Sequence, residues 1–140
     1  MGRLHPFPAV SMVASIKKKH AQAQLFEDEN RIEFSRSECR KRNSLFRTYI
    51  VYHEIGHWFR HSHVPLSAIS GRGREGFQIL DCHDPEEGFA DAFAAYYMEP
   101  GTLARKHPEH QKRLASLLAG REDTLREFCD EITGWLAEQI

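Results

Sequence analysis

The stretch Tyr52-His53-Glu54-Ile55-Gly56-His57-Trp58 holds two imidazoles four residues apart, with a carboxylate directly after the first. On a helix of ~3.6 residues per turn, positions four apart lie one above the other, so both rings can reach a single metal ion. Glu54 lies ~100° further round the same turn, beside such an ion and not on it. That is the place of a general base for a water held at the metal. The competing reading is a pair of histidines stacked in an ordinary core.

The flanks describe the helix that must carry them. Asn43 or Ser44 can cap its start, and Leu45, Phe46, Tyr49, Ile50, His53 and His57 recur at spacings of three and four, so the two histidines continue an inward stripe. A catalytic zinc takes three protein ligands and a water. The third is sought in Asp84-Pro85-Glu86-Glu87-Gly88-Phe89-Ala90-Asp91, followed by Ala92 to Met98. Asp84 at the N-cap and Pro85 at the first helical position start a second amphipathic helix. Glu87 supplies the third ligand, and Asp91, four residues on along the same face, accepts the outer N–H of a ligand histidine and fixes its tautomer. Two other assignments stay open. Asp84-x-x-Glu87 has the form of a capping box, which would turn Glu87 toward its own helix amides. Alternatively Glu86 is the ligand and Glu87 the cap. Glu87 is favoured because only it has a carboxylate four residues further on.

His53-Glu54-x-x-His57, a gap of 29 residues, then Glu87-x-x-x-Asp91 is similar to the gluzincin metallopeptidases, typified by thermolysin. Within them the chain most resembles the ImmA/IrrE peptidases, whose pattern runs roughly H-E-L-G-H-x-L-L-H and then E-x-x-A-N-x-F-A-A-x-L-L-M-P. Here these segments are His53-Glu54-Ile55-Gly56-His57-Trp58-Phe59-Arg60-His61 and Glu87-Gly88-Phe89-Ala90-Asp91-Ala92-Phe93-Ala94-Ala95-Tyr96-Tyr97-Met98-Glu99-Pro100. The resemblance spans about residues 30 to 100. Asp91 replaces the usual Asn, and Glu99 is inserted before the proline. An F-A-D/E-A-F segment also occurs in lethal-factor-type toxin metallopeptidases.

The resemblance implies a zinc endopeptidase with a minimal zincin-like domain, a small sheet beside the His53–His57 helix and C-terminal helices packed behind. Zinc would be held by His53, His57 and Glu87; the same donors accept manganese(II) or iron(II). Glu54 would take the proton of the attacking water and return it to the leaving amine. His83, four residues before Glu87, is the first candidate for steadying the oxyanion, the work a His or Tyr does in thermolysin-like enzymes; His61 and His63 are the other spare imidazoles. The implied substrate is a helix-turn-helix repressor, hence a DNA-binding protein partner with no nucleic-acid contact by the enzyme itself. Two further readings are a toxin-type peptidase acting on a foreign protein and a non-catalytic metal-binding module.

The totals fit one domain over residues 11–140 behind a flexible arm at 1–10 containing Pro6 and Pro8. The net charge of −1 argues against a nucleic-acid binder, although residues 1–48 carry ten Lys or Arg against five acids. No apolar run reaches the ~18 to 20 residues of a membrane span, and the leading segment places its charges after its apolar part, unlike a signal peptide. Cys39, Cys82 and Cys129 are scattered, as suits reduced thiols in a cytoplasm. Export without a signal peptide is the alternative location.

Along the chain, Ser11 to Gln24 reads as a helix with Lys17-Lys18-Lys19 on a solvated face, the lesser alternative being a partner contact. Glu27 to Asn30 is a polar turn, and Arg31-Ile32-Glu33-Phe34-Ser35 alternates as a half-buried strand. In metallopeptidases of this type an edge strand pairs with extended substrate, which would put Ile32 and Phe34 near the channel; a strand that only packs on the helix is the other reading. Arg36 to Arg42 is a basic connector, weak as a nucleic-acid patch for want of interleaved aromatics. Residues 61–83 form a long loop. Its Gly71-x-Gly73-x-x-Gly76 matches a dinucleotide fingerprint in letters only, with no strand before it or helix after it, and reads as a flexible cleft rim. Beyond Gly101 the pattern is helical over Thr102–Lys106, Pro108–Leu118 and Glu122–Ile140, with a core stripe that includes Leu114, Leu125, Ile132 and Leu136. The sum is a mostly helical α+β fold.

Overall fold

The computed structural model describes residues 4–17, 21–69 and 84–140. Its strands are β1 (Ala9–Val13), β2 (Ala23–Phe26) and β3 (Arg31–Ser35). Its helices are α1 (Arg36–Arg40), α2 (Ser44–His63), α3 (Pro85–Met98), α4 (Pro100–Lys106), α5 (Pro108–Leu118) and α6 (Glu122–Gln139). The fold is thus mostly helical α+β, with one three-stranded sheet and the C-terminal helices gathered behind α2 and α3.

The sheet order is β1-β3-β2, with β1 parallel and β2 antiparallel to β3. β3 is therefore the central strand. Its Ile32 and Phe34 are fully buried and pack with the helices, while Arg31 and Glu33 point outward and pair at 2.7 Å. Of the two expectations for Ile32 and Phe34, packing holds and the channel position does not. The strand at the cleft is β2, whose short Ala-Gln-Leu-Phe run carries too little alternation to announce itself.

Among the described residues of the helix expected over Ser11–Gln24, the structure has strands at Ala9–Val13 and Ala23–Phe26 instead; Lys18 and Lys19 of the basic run lie outside the described residues. Lack of proline and glycine permits a helix, but Val10, Met12 and their neighbours alternate with a period of two, and pairing with β3 from Ala9↔Arg31 to Val13↔Ser35 satisfies the backbone. Residues 4–10, the described part of the expected arm, also depart from a loose arm. Phe7 stacks on Phe128 with centroids 4.0 Å apart and meets Trp58 at 5.5 Å, Pro8 is buried, and Ala9 and Val10 already belong to β1. Asn30, in the left-handed conformation that Asn tolerates, closes the turn before β3. Its Nδ2 donates to the Pro6 carbonyl, and its Oδ1 accepts from Trp58 Nε1 at 2.9 Å, joining the leading segment to α2. The basic connector opens as α1, capped by Ser35. Cys39 and Cys129 are free and buried; Cys82 lies outside the described residues.

Asn43 caps α2, its side chain accepting from the Phe46 amide at 2.8 Å. The buried face of α2 includes Ile50, Ile55, Trp58 and Phe59, and α3 contributes Phe89, Phe93 and Tyr97. α6 closes the far side through Leu125, Cys129, Ile132 and Leu136, with the Tyr52 hydroxyl reaching Asp130 at 3.3 Å. Where α2 crosses α3, a Cβ on Gly56 would stand 3.0 Å from Phe93 Cβ and 3.1 Å from the Ala90 Cα. Glycine fits that approach without any shift of its neighbours, and a larger residue would need them to give by a few tenths of an ångström. Gly56→Ala is expected to destabilise the protein by about 1–3 kcal/mol, the usual cost of overpacking, measured by chemical denaturation.

His63, at the C-terminal end of α2, sits between the leading segment and α6. The His5 amide approaches its Nε2 at 3.1 Å and an Arg121 guanidinium nitrogen its Nδ1 at 2.9 Å, so donors face both ring nitrogens. Burial, then Arg121, then His5 push its pKa down from 6.5 to about 4. Between those values the unfolded chain takes up a proton that the folded chain refuses, so this group lowers stability as pH falls from 6.5 toward 4 and has no effect above 6.5. In urea titrations across that window, His63→Gln is expected to flatten the pH dependence relative to wild type.

Candidate metal centre

Helix α2 presents His53 and His57 at the border of the core, their side chains 14% and 19% exposed, so the inward stripe leaves both rings an open side. The rings stand nearly perpendicular with centroids 4.7 Å apart, and their Nε2 atoms face each other at 3.2 Å. Helix α3 begins as the sequence predicts, with Asp84 accepting from the Glu86 amide and Pro85 in the first turn. Its Glu87 reaches across to α2: one carboxylate oxygen lies 3.0 Å from His53 Nε2 and the other 3.2 Å from His57 Nε2. Glu86 turns the other way and pairs with Arg60 at 2.7 Å. Of the two acids, Glu87 faces the rings. Among the described residues, His53, His57 and Glu87 are the group whose donor atoms could hold a metal ion.

Asp91, one turn beyond Glu87, places Oδ1 2.9 Å from His53 Nδ1. The Tyr49 hydroxyl donates to the same oxygen and lies 3.3 Å from His53 Nδ1. Asp91 thus stands where an acceptor for the outer N–H of His53 must stand. Tyr49 is the residue that sequence reasoning missed. In the sequence it stands only as a member of the apolar stripe, and the available signal is its position one turn before His53.

The electrostatics follow from crowding three acids around two rings. Burial opposes a charge on His53, but Asp91, Glu87 and the nearby Glu54 outweigh it and raise its pKa from 6.5 to about 9. Bonds from His53 and His57 hold Glu87 well below the usual carboxylate range, against burial. Burial likewise disfavours ionised Asp91, yet bonds from His53 and then Tyr49 leave its pKa lowered. The cluster is electron-rich and favours a positive charge at its centre. A tetrahedral ion with bonds of ~2.1 Å separates its ligand atoms by ~3.4 Å; the two Nε2 atoms stand 3.2 Å apart, and each has a different Glu87 carboxylate oxygen within 3.0 to 3.2 Å. Two imidazoles and a carboxylate also match the donor set of a catalytic zinc.

The triangle opens on a hollow of about 600 Å³ bounded by α2, the start of α3 and β2, with Glu54 in its wall. A second, more apolar hollow of about 640 Å³ lies beside it, lined by Leu45, Phe46, Ala94 and Met98 and sharing Tyr49 and Asp91 with the first. The spare imidazoles divide. His61 pairs with Glu27 at 3.3 Å, and His63 is engaged with His5 and Arg121. His83, together with Cys82 and the glycines at 71, 73 and 76, lies outside the described residues. Among the described residues no helix is long and apolar enough to cross a membrane.

Compared with known proteins, the chain matches no family model, no curated protein and no solved structure. The resemblance therefore stands on its motifs alone. Glu87→Gln, which keeps the shape and removes the charge, is expected to weaken zinc binding by more than the ~10- to 100-fold lost when a partner behind a ligand is removed. Glu86→Gln should leave affinity almost unchanged. Competition with a chromophoric chelator measures both.

Proposed function

We propose that the chain is a zinc-dependent endopeptidase acting on a protein substrate. The observation that carries this reading is the triangle of His53 Nε2, His57 Nε2 and the Glu87 carboxylate opening on a hollow whose wall includes Glu54. A zinc ion bound there would polarise the scissile carbonyl and acidify the attacking water toward a pKa of ~7.

The chain's own residues supply the rest. His53 and His57 would present Nε2 lone pairs to the ion and Glu87 would add the one charged donor, while Asp91 is placed to hold the proton of His53 on Nδ1. Glu54, one residue on from His53, takes the proton of the attacking water on its carboxylate and delivers it to the amine nitrogen as the peptide bond breaks. Strand β2 borders the hollow and pairs on one side with β3. An extended substrate adding to its other side would have its backbone aligned across the site.

For the substrate, the reading follows the resemblance to ImmA/IrrE peptidases: a helix-turn-helix repressor cleaved in the cytoplasm, with no nucleic-acid contact by the enzyme. Incubation of the zinc-loaded protein with candidate repressors, read by mass spectrometry, tests it. Glu54→Gln is expected to cut the cleavage rate by about 10²- to 10⁴-fold, the range for losing a general base, while zinc content stays at the wild-type level. Undiminished cleavage by zinc-loaded Glu54→Gln would refute the mechanism.

A further inference from the structure

The metal-site reading leaves one strong contact without a role, the hydroxyl of Tyr49. Resting on that reading, we infer that Tyr49 is a positioning residue that locks Asp91, and through it the tautomer and orientation of His53, for metal binding.

The geometry is a closed triangle of polar atoms behind His53. Asp91 Oδ1 lies 2.9 Å from His53 Nδ1, Tyr49 Oη donates to that same Oδ1, and Tyr49 Oη is 3.3 Å from His53 Nδ1. Tyr49 has one proton to give, and both Asp91 Oδ1 and His53 Nδ1 are in its reach. If it went to His53 Nδ1, the ring's own hydrogen would have to sit on Nε2, pointing at His57 and Glu87 and occupying the lone pair a metal needs. Given to Asp91, it leaves Nδ1–H to donate to the same carboxylate and frees Nε2. An ionised carboxylate accepts hydrogen bonds and donates none, so it draws both protons toward itself and selects the second arrangement.

Asp91 also needs a second anchor. It borders both hollows and its side chain is a quarter exposed, so a carboxylate held by His53 alone would exchange that bond with water. Tyr49 is well placed to prevent this. It is fixed to α2 one turn before His53, its ring meets the His53 ring at 5.5 Å, and Phe46 packs against it at 5.6 Å. The hydroxyl thereby ties Asp91 on α3 to the helix that carries the two histidines.

Tyr49→Phe removes the hydroxyl and keeps the ring. Zinc affinity, measured by chelator competition, is expected to fall about 10-fold or more, as for other partners that orient ligands. In the zinc-loaded protein the His53 Nδ1–H proton signal should be sharp in wild type and broadened by solvent exchange in the variant. If Tyr49 acts through Asp91, adding Tyr49→Phe to Asp91→Ala should change affinity by less than about 2-fold, the limit for independent sites. The Nδ1–H signal carries the test on Tyr49→Phe alone should Asp91→Ala not fold. Unchanged affinity and an unchanged Nδ1–H signal in Tyr49→Phe, with wild type binding one zinc, would overturn the role of Tyr49 and leave the metal site standing. Failure of wild type to bind zinc would overturn both.

Discussion

The close crossing of α2 and α3 at Gly56 governs the separation of every group in the candidate site. Gly56 lies between His53 and His57 on one helix, and the atoms a Cβ there would meet belong to Ala90, next to Asp91, and Phe93, two residues beyond it, on the other. The contact that sets the helix spacing is therefore in the same turn as the donors. Protein interiors yield little, and a methyl inserted here would need Phe93 or the α3 backbone to give by a few tenths of an ångström. Glu87 and Asp91 span the gap with short side chains at 2.9 to 3.2 Å, and a displacement of ~1 Å already takes such contacts beyond hydrogen-bond range.

That closeness has an electrostatic consequence. Glu54, Glu87 and Asp91 crowd around two imidazoles, with Glu87 itself disfavouring charge on Asp91. Partly buried like charges are tolerable only when something positive sits among them. In the metal-free chain the raised pKa of His53 meets that need with a proton. A divalent cation would meet it more fully, and would displace that proton on binding. The arrangement thus carries a reason for an ion that does not depend on any likeness to known proteins.

What could be read from the sequence was local in origin. The helix caps at Asn43 and Asp84, the period of three and four along α2, and the Glu87–Asp91 spacing are all set within a turn or two of chain, and the structure has them where the sequence puts them. The sequence leaves Glu86 and Glu87 as alternatives because both satisfy local rules; Arg60, 26 residues away, engages Glu86, and Glu87 is the acid that faces the rings. The strands were harder still. β1 pairs with a segment 22 residues later, and nothing between Ser11 and Gln24 encodes that partner except a weak alternation. Tyr49 escaped for the same reason, since the acceptor of its hydroxyl is 42 residues distant.

The position of the triangle distinguishes between the uses a metal could have here. An ion serving the fold alone is best enclosed by four protein ligands, and the α2–α3 interface around Phe93 is the place that would enclose it. The donors instead sit at the mouth of that interface, with the Glu87 side chain about half exposed at 49% and both rings open to a hollow beside an edge strand. Such a site gives up part of the affinity that burial would confer. On the proposed reading, that openness leaves a coordination position accessible to a substrate backbone added along β2, the kind of ligand a strand edge can receive.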